Sequence, residues 1–546
     1  MKKLLVAFLS LCLILASVCG AFADSEPVKA TFVETTGGKV QGYRYNGIDN
    51  YLGIQYGIAA RFQAPEAYSW GDMVRVCNVE GEVCPQSTLE TAARDLFNCF
   101  PNKLQQIENE ELCLQLNVWT PESSTESARP VIVWLHGGGW VSGSSTMFNM
   151  YLGEALAKKE DIVFVSVNHR LNCLGYLDVS AYGGEEYKYS GNVGVLDLVL
   201  ALQWVQDNIA NFGGDPSNVT IVGQSGGGAK VLTLMSMPSA AGLFHKAVDL
   251  SGGFAPTGRT TESAQADTAK VVEVLGLTDA SNEEILEALT TMGYEALYTA
   301  CNAAGINYGS VIDGDLLPNV DYEVTSKDVP LLTSNVLGEF STNYANVPYS
   351  FSEENYTRQI LDQQTEEMVL ESVVAKWGEE YGPKILDAFK EAYPTHNPAE
   401  VIYLNDRLLV GLVYTLPAAQ RMAAAGGTVY NCVAAYSYPM YGGIVPIHTA
   451  SDVPFWFANV DDIPEFVAGD EENARKVNDA MSAALAAFAR TGDPSTEALA
   501  WEQYSPETGA TMVFDAESEL KYNHDKALFE LIEEAPQLQA GFNPFG

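Results

Sequence analysis

A serine stands between glycines in Gly223-Gln224-Ser225-Gly226-Gly227, directly after the β-branched run Val219 to Val222. A helical pattern through Ala229, Leu232, Leu234 and Met235 follows, so the order is strand, sharp turn, helix. A turn that tight has no room for a Cβ at its flanks, which gives Gly223 and Gly227 a physical role. It also lifts the Ser225 hydroxyl to an exposed apex, the arrangement of a nucleophile elbow. Behind it, the start of a helix offers backbone N–H groups to a developing anion.

A second glycine run, His136-Gly137-Gly138-Gly139-Trp140, follows the apolar stretch Val131 to Leu135. Three bare peptide N–H groups at the end of a strand are the material of an oxyanion hole. A serine nucleophile also needs a base and an acid, and with such an elbow they come later in the chain, acid before histidine. Of six histidines, His136, His169 and His245 come too early or too close, which leaves His396, His448 and His524. His448 follows the strand pattern Val429 to Tyr436 through a Gly- and Pro-containing loop, so position favours it, and the other two read as solvated surface side chains. For the acid, Glu339 stands just past the apolar run Leu331 to Leu337, while Asp313 and Asp315 sit in an Asp-Gly-Asp turn whose own chemistry accounts for them.

These residues need a scaffold. Val131 to Leu135 and Ile162 to Val167 are continuous apolar runs, as in strands buried on both faces, and Leu114 to Trp119 alternates like a half-exposed strand. Between them and the elbow, Leu196, Val199, Leu202, Val205 and Ile209 recur at helical spacing. Strand, helix, strand predicts a parallel sheet covered by helices. Further strands are expected at Ala247 to Leu250 and Val429 to Tyr436, with helices over about 357 to 392, 403 to 424 and 470 to 490. No linker rich in Pro, Gly or Ser interrupts the pattern, which predicts one large domain over 24–546.

The net charge of −40 speaks against nucleic-acid binding, because phosphate would be repelled. Lys2 and Lys3, the apolar run Leu4 to Val18 and Ala21-Phe22-Ala23 compose a cleavable export signal ending after Ala23, too short to span a membrane. The expected location is therefore secreted or periplasmic. Seven cysteines remain beyond that point, so at least one is unpaired, and none has zinc-site spacing.

The chain resembles the type B carboxylesterase family over nearly its full length. The resemblance runs through Tyr51-Leu-Gly-Ile-Gln-Tyr56, Cys84-Pro-Gln86, Glu111 to Val118, the His-Gly-Gly-Gly loop, Asn168-His-Arg170 and Asn211 to Thr220 into the elbow. It implies an α/β-hydrolase fold, a twisted and mostly parallel sheet with helices on both faces. Pro330 and Glu339 match the family's spacing for the catalytic acid, and His448 before Asp452-Val-Pro-Phe-Trp-Phe457 matches its histidine, one residue longer than usual. The resemblance also implies a Cys84–Cys113 disulfide and donation to the oxyanion by Gly138, Gly139 and Gly226. Gln224 departs from the family's acidic residue before the nucleophile, and His169 stands where Tyr is usual. The expected reaction is hydrolysis of neutral short to medium acyl esters through an acyl-enzyme formed on Ser225, with no metal or cofactor. A lipase acting on long chains and a non-catalytic adhesion relative are the alternatives.

Overall fold

The computed structural model describes residues 28–86, 106–253, 259–339, 365–403, 411, 415–439, 445–446 and 450–536. The segment read as an export signal, Cys99 and His448 lie outside them. Thirteen strands form one sheet. In chain order they are β1 (Lys29–Thr35), β2 (Gly38–Tyr45), β3 (Ile48–Gln55), β4 (Gly71–Val76), β5 (Gln115–Thr120), β6 (Arg129–Leu135) and β7 (Val163–Val167), then β8 (Gly214–Gln224), β9 (Lys246–Leu250), β10 (Leu331–Val336), β11 (Val429–Ala434), β12 (Ala510–Phe514) and β13 (Glu519–Tyr522). Across the sheet the order is β1-β2-β3-β5-β7-β6-β8-β9-β10-β11-β12-β13, with β4 beside β2. From β7 to β12 every pairing is parallel, and the flanks are mostly antiparallel. This is the mostly parallel sheet that the apolar runs predict.

Two helical layers cover it: α1 (Val193–Asn208) and α2 (Gly226–Ser236) on one face, α4 (Glu471–Thr491) on the other, while α3 (Glu366–Ala392) packs toward the β11–β12 side. The pleat of β6 explains the division, because successive side chains point to opposite faces. Val131, Val133 and Leu135 pack with α1 and α2, whereas Ile132 and Trp134 pack with α4. Trp134 is fully buried and meets the ring edges of Tyr151 and Phe457 at 5.1 and 4.9 Å. Truncating a side chain of that size in a packed core costs roughly 3–5 kcal/mol.

Three expectations change. β5 is buried on both faces, not half exposed, because its polar side chains are bonded internally. Asn117 Nδ2 donates to Ser166 Oγ at 3.0 Å, and its Oδ1 accepts from Gly53 N at 2.9 Å. In α1, Leu196 and Val199 are only half buried, and the core face is centred on Val195, Leu198 and Asp197 instead. Asp197 belongs there because its carboxylate pairs with buried Arg170 at 2.6 Å. The helix expected over 357 to 392 is described from Glu366 and breaks at Gly378, whose φ of 82° no helix accommodates.

Candidate active site

β6 and β8 are hydrogen-bonded neighbours, yet the chain leaves β6 for β7 on one side and β8 for β9 on the other. At such a reversal the loops diverge and a crevice opens beyond the strand ends. The two glycine-rich loops both issue from this point.

Ser225 caps α2 directly after β8, with φ 54° and ψ −123°. A non-glycine residue at that φ stores strain of roughly 1–3 kcal/mol, which the surrounding structure must hold. It is held from both sides. Ser225 N donates to Leu250 O at 2.8 Å, and Ser225 O accepts the first helical bond from Ala229 N at 3.1 Å. A Cβ on Gly223 would fall well under 3.0 Å from Gly227, and one on Gly227 equally close to Leu135 O, so only glycine fits at either position.

After β6, Gly138 and Gly139 take φ of 93° and 63°, and Gly138 O accepts from Ser142 N at 3.1 Å to close the turn. Gln86 fixes its far end, accepting from Gly143 N at 2.6 Å and donating to Gly143 O at 3.1 Å. A Cβ on Gly226 would collide with the N, Cα and O of Gly139. The structure therefore brings Gly138, Gly139 and Gly226 together beside Ser225. Among the described residues no acceptor takes their N–H groups.

Glu339 is fully buried three residues past the end of β10, and its Oε1 accepts from Val336 N at 3.1 Å. β10 is separated from β8 by β9 alone. Asp313 serves its own turn, accepting from Asp315 N and Leu317 N at 2.9 and 3.0 Å, while exposed Asp315 pairs with Lys188 at 2.7 Å. His448 follows the short strand Val445–Pro446, which pairs with Ser437–Tyr438 just beyond β11.

The other two late histidines are not solvated. His396 is buried between Glu400 and Asp515, with Nδ1 at 2.7 Å from the first and Nε2 at 3.1 Å from the second. Burial works against its charged form, but the hydrogen bonds to Asp515 and Glu400 outweigh that and raise it to about 9. His524 is buried edge-on against Tyr393, with ring centroids 4.8 Å apart. Cys84 and Cys113 are buried free thiols, not the disulfide the resemblance implies. The two thiols neighbour each other, and burial together with that contact holds the Cys84 thiol well above its ordinary range; Cys84 Sγ also accepts from Leu171 N at 3.2 Å, and Cys113 Sγ donates to Glu110 O at 3.6 Å.

Several ionisable groups behind the site escape a reading of the sequence. Lys230 on α2 is fully buried, its Nζ donating to His136 O at 3.1 Å, and burial lowers it to about 7. His136 stacks on His169 at 4.9 Å, and burial lowers the two to about 3 and well below the usual range, so both are neutral. Asp249, against Gly228 on the nucleophile helix, and Asp452 are each raised to about 7 by burial. The one signal available in the sequence is a lysine in the otherwise apolar run after Ala229. Among the described residues no group of three or more His, Cys, Asp or Glu has an arrangement that could hold a metal ion, and no helix is long and apolar enough to cross a membrane.

The doubly covered, mostly parallel sheet with a serine elbow at its strand reversal defines an α/β-hydrolase. The chain belongs to the carboxylesterase family, whose family model matches residues 29–530, and is thus a carboxylic ester hydrolase. The para-nitrobenzyl esterase of Bacillus subtilis is 30% identical, over 89% of this chain and 95% of its own. Among solved structures, an esterase from anaerobic Clostridium hathewayi, described as able to hydrolyse aliphatic aromatic polyesters, superposes with a TM-score of 0.80. It is 32% identical and covers 93% of this chain and 100% of its own. The carboxylesterase EST55 of Geobacillus stearothermophilus gives a TM-score of 0.70 at 29% identity, covering 92% of this chain and 99% of its own.

Proposed function

We propose that Ser225, His448 and Glu339 form a catalytic triad that cleaves carboxylic esters through an acyl-enzyme. Ser225 Oγ attacks the ester carbonyl while His448 takes the hydroxyl proton, and the charge gathers on the carbonyl oxygen. Gly138, Gly139 and Gly226 N–H groups receive that oxyanion. Collapse breaks the C–O bond, and His448 returns the proton to the departing alcohol. Water then repeats the sequence on the acyl-enzyme, releasing the acid and restoring the Ser225 hydroxyl. Glu339 fixes the imidazole tautomer and stabilises the imidazolium.

The observation that carries this reading is Ser225, held at a strained φ directly against the Gly138–Gly139 turn. Buried Glu339 beyond β10 supports it. The test is steady-state turnover of p-nitrophenyl esters by S225A, H448A and E339Q. Each serine or histidine change should cost several orders of magnitude in kcat with the circular dichroism spectrum unchanged. Wild-type-like turnover in either ends the mechanism, and a mild effect of E339Q redirects the search for the acid to Asp313 or Asp315.

Neutral esters with short to medium acyl chains are the proposed substrates, with long-chain lipids as the alternative. A series of p-nitrophenyl esters from acetate to palmitate separates them. Aliphatic aromatic polyesters enter as a further arm, because the relative at TM-score 0.80 is described as acting on them. The segment up to Ala23 is read as an export signal, which N-terminal sequencing of the secreted protein tests.

A further inference from the structure

We propose that Lys230 is a positioning residue of the oxyanion loop, its buried ammonium holding the Gly137–Gly139 turn against the helix that carries the nucleophile. The inference rests on the assignment of Ser225 and this turn to catalysis. Lys230 lies five residues past Ser225 on α2, and its two contacts bracket the three glycines. Nζ donates to the carbonyl of His136 immediately before them, at 3.1 Å, and stands 5.6 Å from the ring centroid of Trp140 immediately after them. One side chain thus ties both ends of the loop to the nucleophile's own helix.

The ammonium has no carboxylate partner among the described residues. Its neighbours are His136 and His169, both neutral, the face of Trp140 and, beyond that ring, the buried Tyr176. Asp249 touches the same helix at Gly228. A buried cation without a counter-charge is costly to keep. An oxyanion forming at the loop N–H groups supplies one, so the charge on Lys230 favours the transition state over the neutral ester. Burial brings Lys230 to about 7, so on the alkaline side the charge is lost, leaving a neutral amine that can still donate to His136 O but offers the oxyanion no counter-charge.

Measurements of kcat and KM for p-nitrophenyl butyrate from pH 5.5 to 9.5 test this on wild type, K230M and D249N, with S225A as control. We expect a wild-type kcat that falls above pH 7. K230M should lose ten- to a hundredfold in kcat, keep KM within threefold and show no alkaline fall, while D249N retains that fall. A K230M enzyme with wild-type kcat and the alkaline limb intact overturns the proposal, as does loss of the limb in D249N. Should K230M not fold, an aryl trifluoromethyl ketone, which adds to Ser225 as an oxyanion, gives a second readout on wild type. Its inhibition constant should weaken at least fivefold from pH 7.5 to 9, a range above the ordinary imidazole value of about 6.5; a constant value overturns the proposal. Residual turnover in S225A instead shows that the catalytic reading itself has failed.

Discussion

Gly226 and Gly139 stand backbone to backbone, so close that a methyl group on Gly226 would overlap the N, Cα and O of Gly139. The two segments that must share one oxyanion are pressed together without a side chain between them.

Gly226→Ala should therefore push the turn away from the elbow. Removing one oxyanion donor costs roughly 10²–10³ in kcat. A loss of at least a hundredfold in kcat is expected, with KM little changed and thermal unfolding still cooperative. Activity within threefold of wild type would mean that the turn yields and that the contact is not needed.

Two buried cations give opposite dependences of stability on pH. His396 is raised to about 9, so its contribution is complete below its ordinary value of about 6.5 and is lost as pH rises through 9. Lys230 is lowered to about 7 and binds fewer protons folded than unfolded up to about 10.5, so its effect is a gain as pH rises. Each effect amounts to a few kcal/mol at most, because a tenfold change in proton affinity is worth about 1.4 kcal/mol. Urea unfolding between pH 7 and 9 should be nearly flat in wild type. It should climb with pH in H396Q and decline in K230M; the same slope in all three proteins contradicts the assignment.

The net charge of −40 does not make this a cholinesterase. Its field is largely screened beyond about 8 Å in physiological salt, and neutral Gln224 replaces the acidic residue beside the nucleophile. Between Cys84 and Cys113 the sequence has no Trp to face a quaternary ammonium. Acetylthiocholine should be turned over with kcat/KM within tenfold of its neutral carbon isostere. A hundredfold preference for the cation excludes this reading.

Export would place the buried Cys84 and Cys113 thiols in an oxidising compartment while the chain folds. Peptide mapping of protein recovered from that compartment should find them joined, a cross-link worth roughly 3.5 kcal/mol for a loop of about 30 residues. Two intact thiols in that material remove the disulfide from the account.

The elbow and the oxyanion turn are legible in the sequence because each is a short contiguous run at the end of a regular strand: Gly223 and Gly227 around Ser225, and the three glycines after His136. What the sequence hides is set by partners far along the chain. Asn117 looks solvent-facing until Ser166 and Gly53 are placed against it. His396 looks like a surface histidine because Asp515, which helps to charge it, lies 119 residues on. Lys230 is hidden in the same way, its acceptor lying 94 residues earlier. The apolar stripe expected on α1 shifts because Arg170 draws Asp197 inward, and no helical periodicity contains that ion pair.

The pairing of β6 with β8 also bears on how activity is acquired during folding. Leu135 and Gly223 stand in register across the pair although the chain between them includes β7 and α1, a long loop to close before any contact rewards it. Helices and local turns can form earlier, but a serine without its neighbouring glycine turn is only a hydroxyl on a strained corner. In refolding, regain of ester hydrolysis should lag behind recovery of helical signal, making turnover itself a clock for this long-range strand pairing.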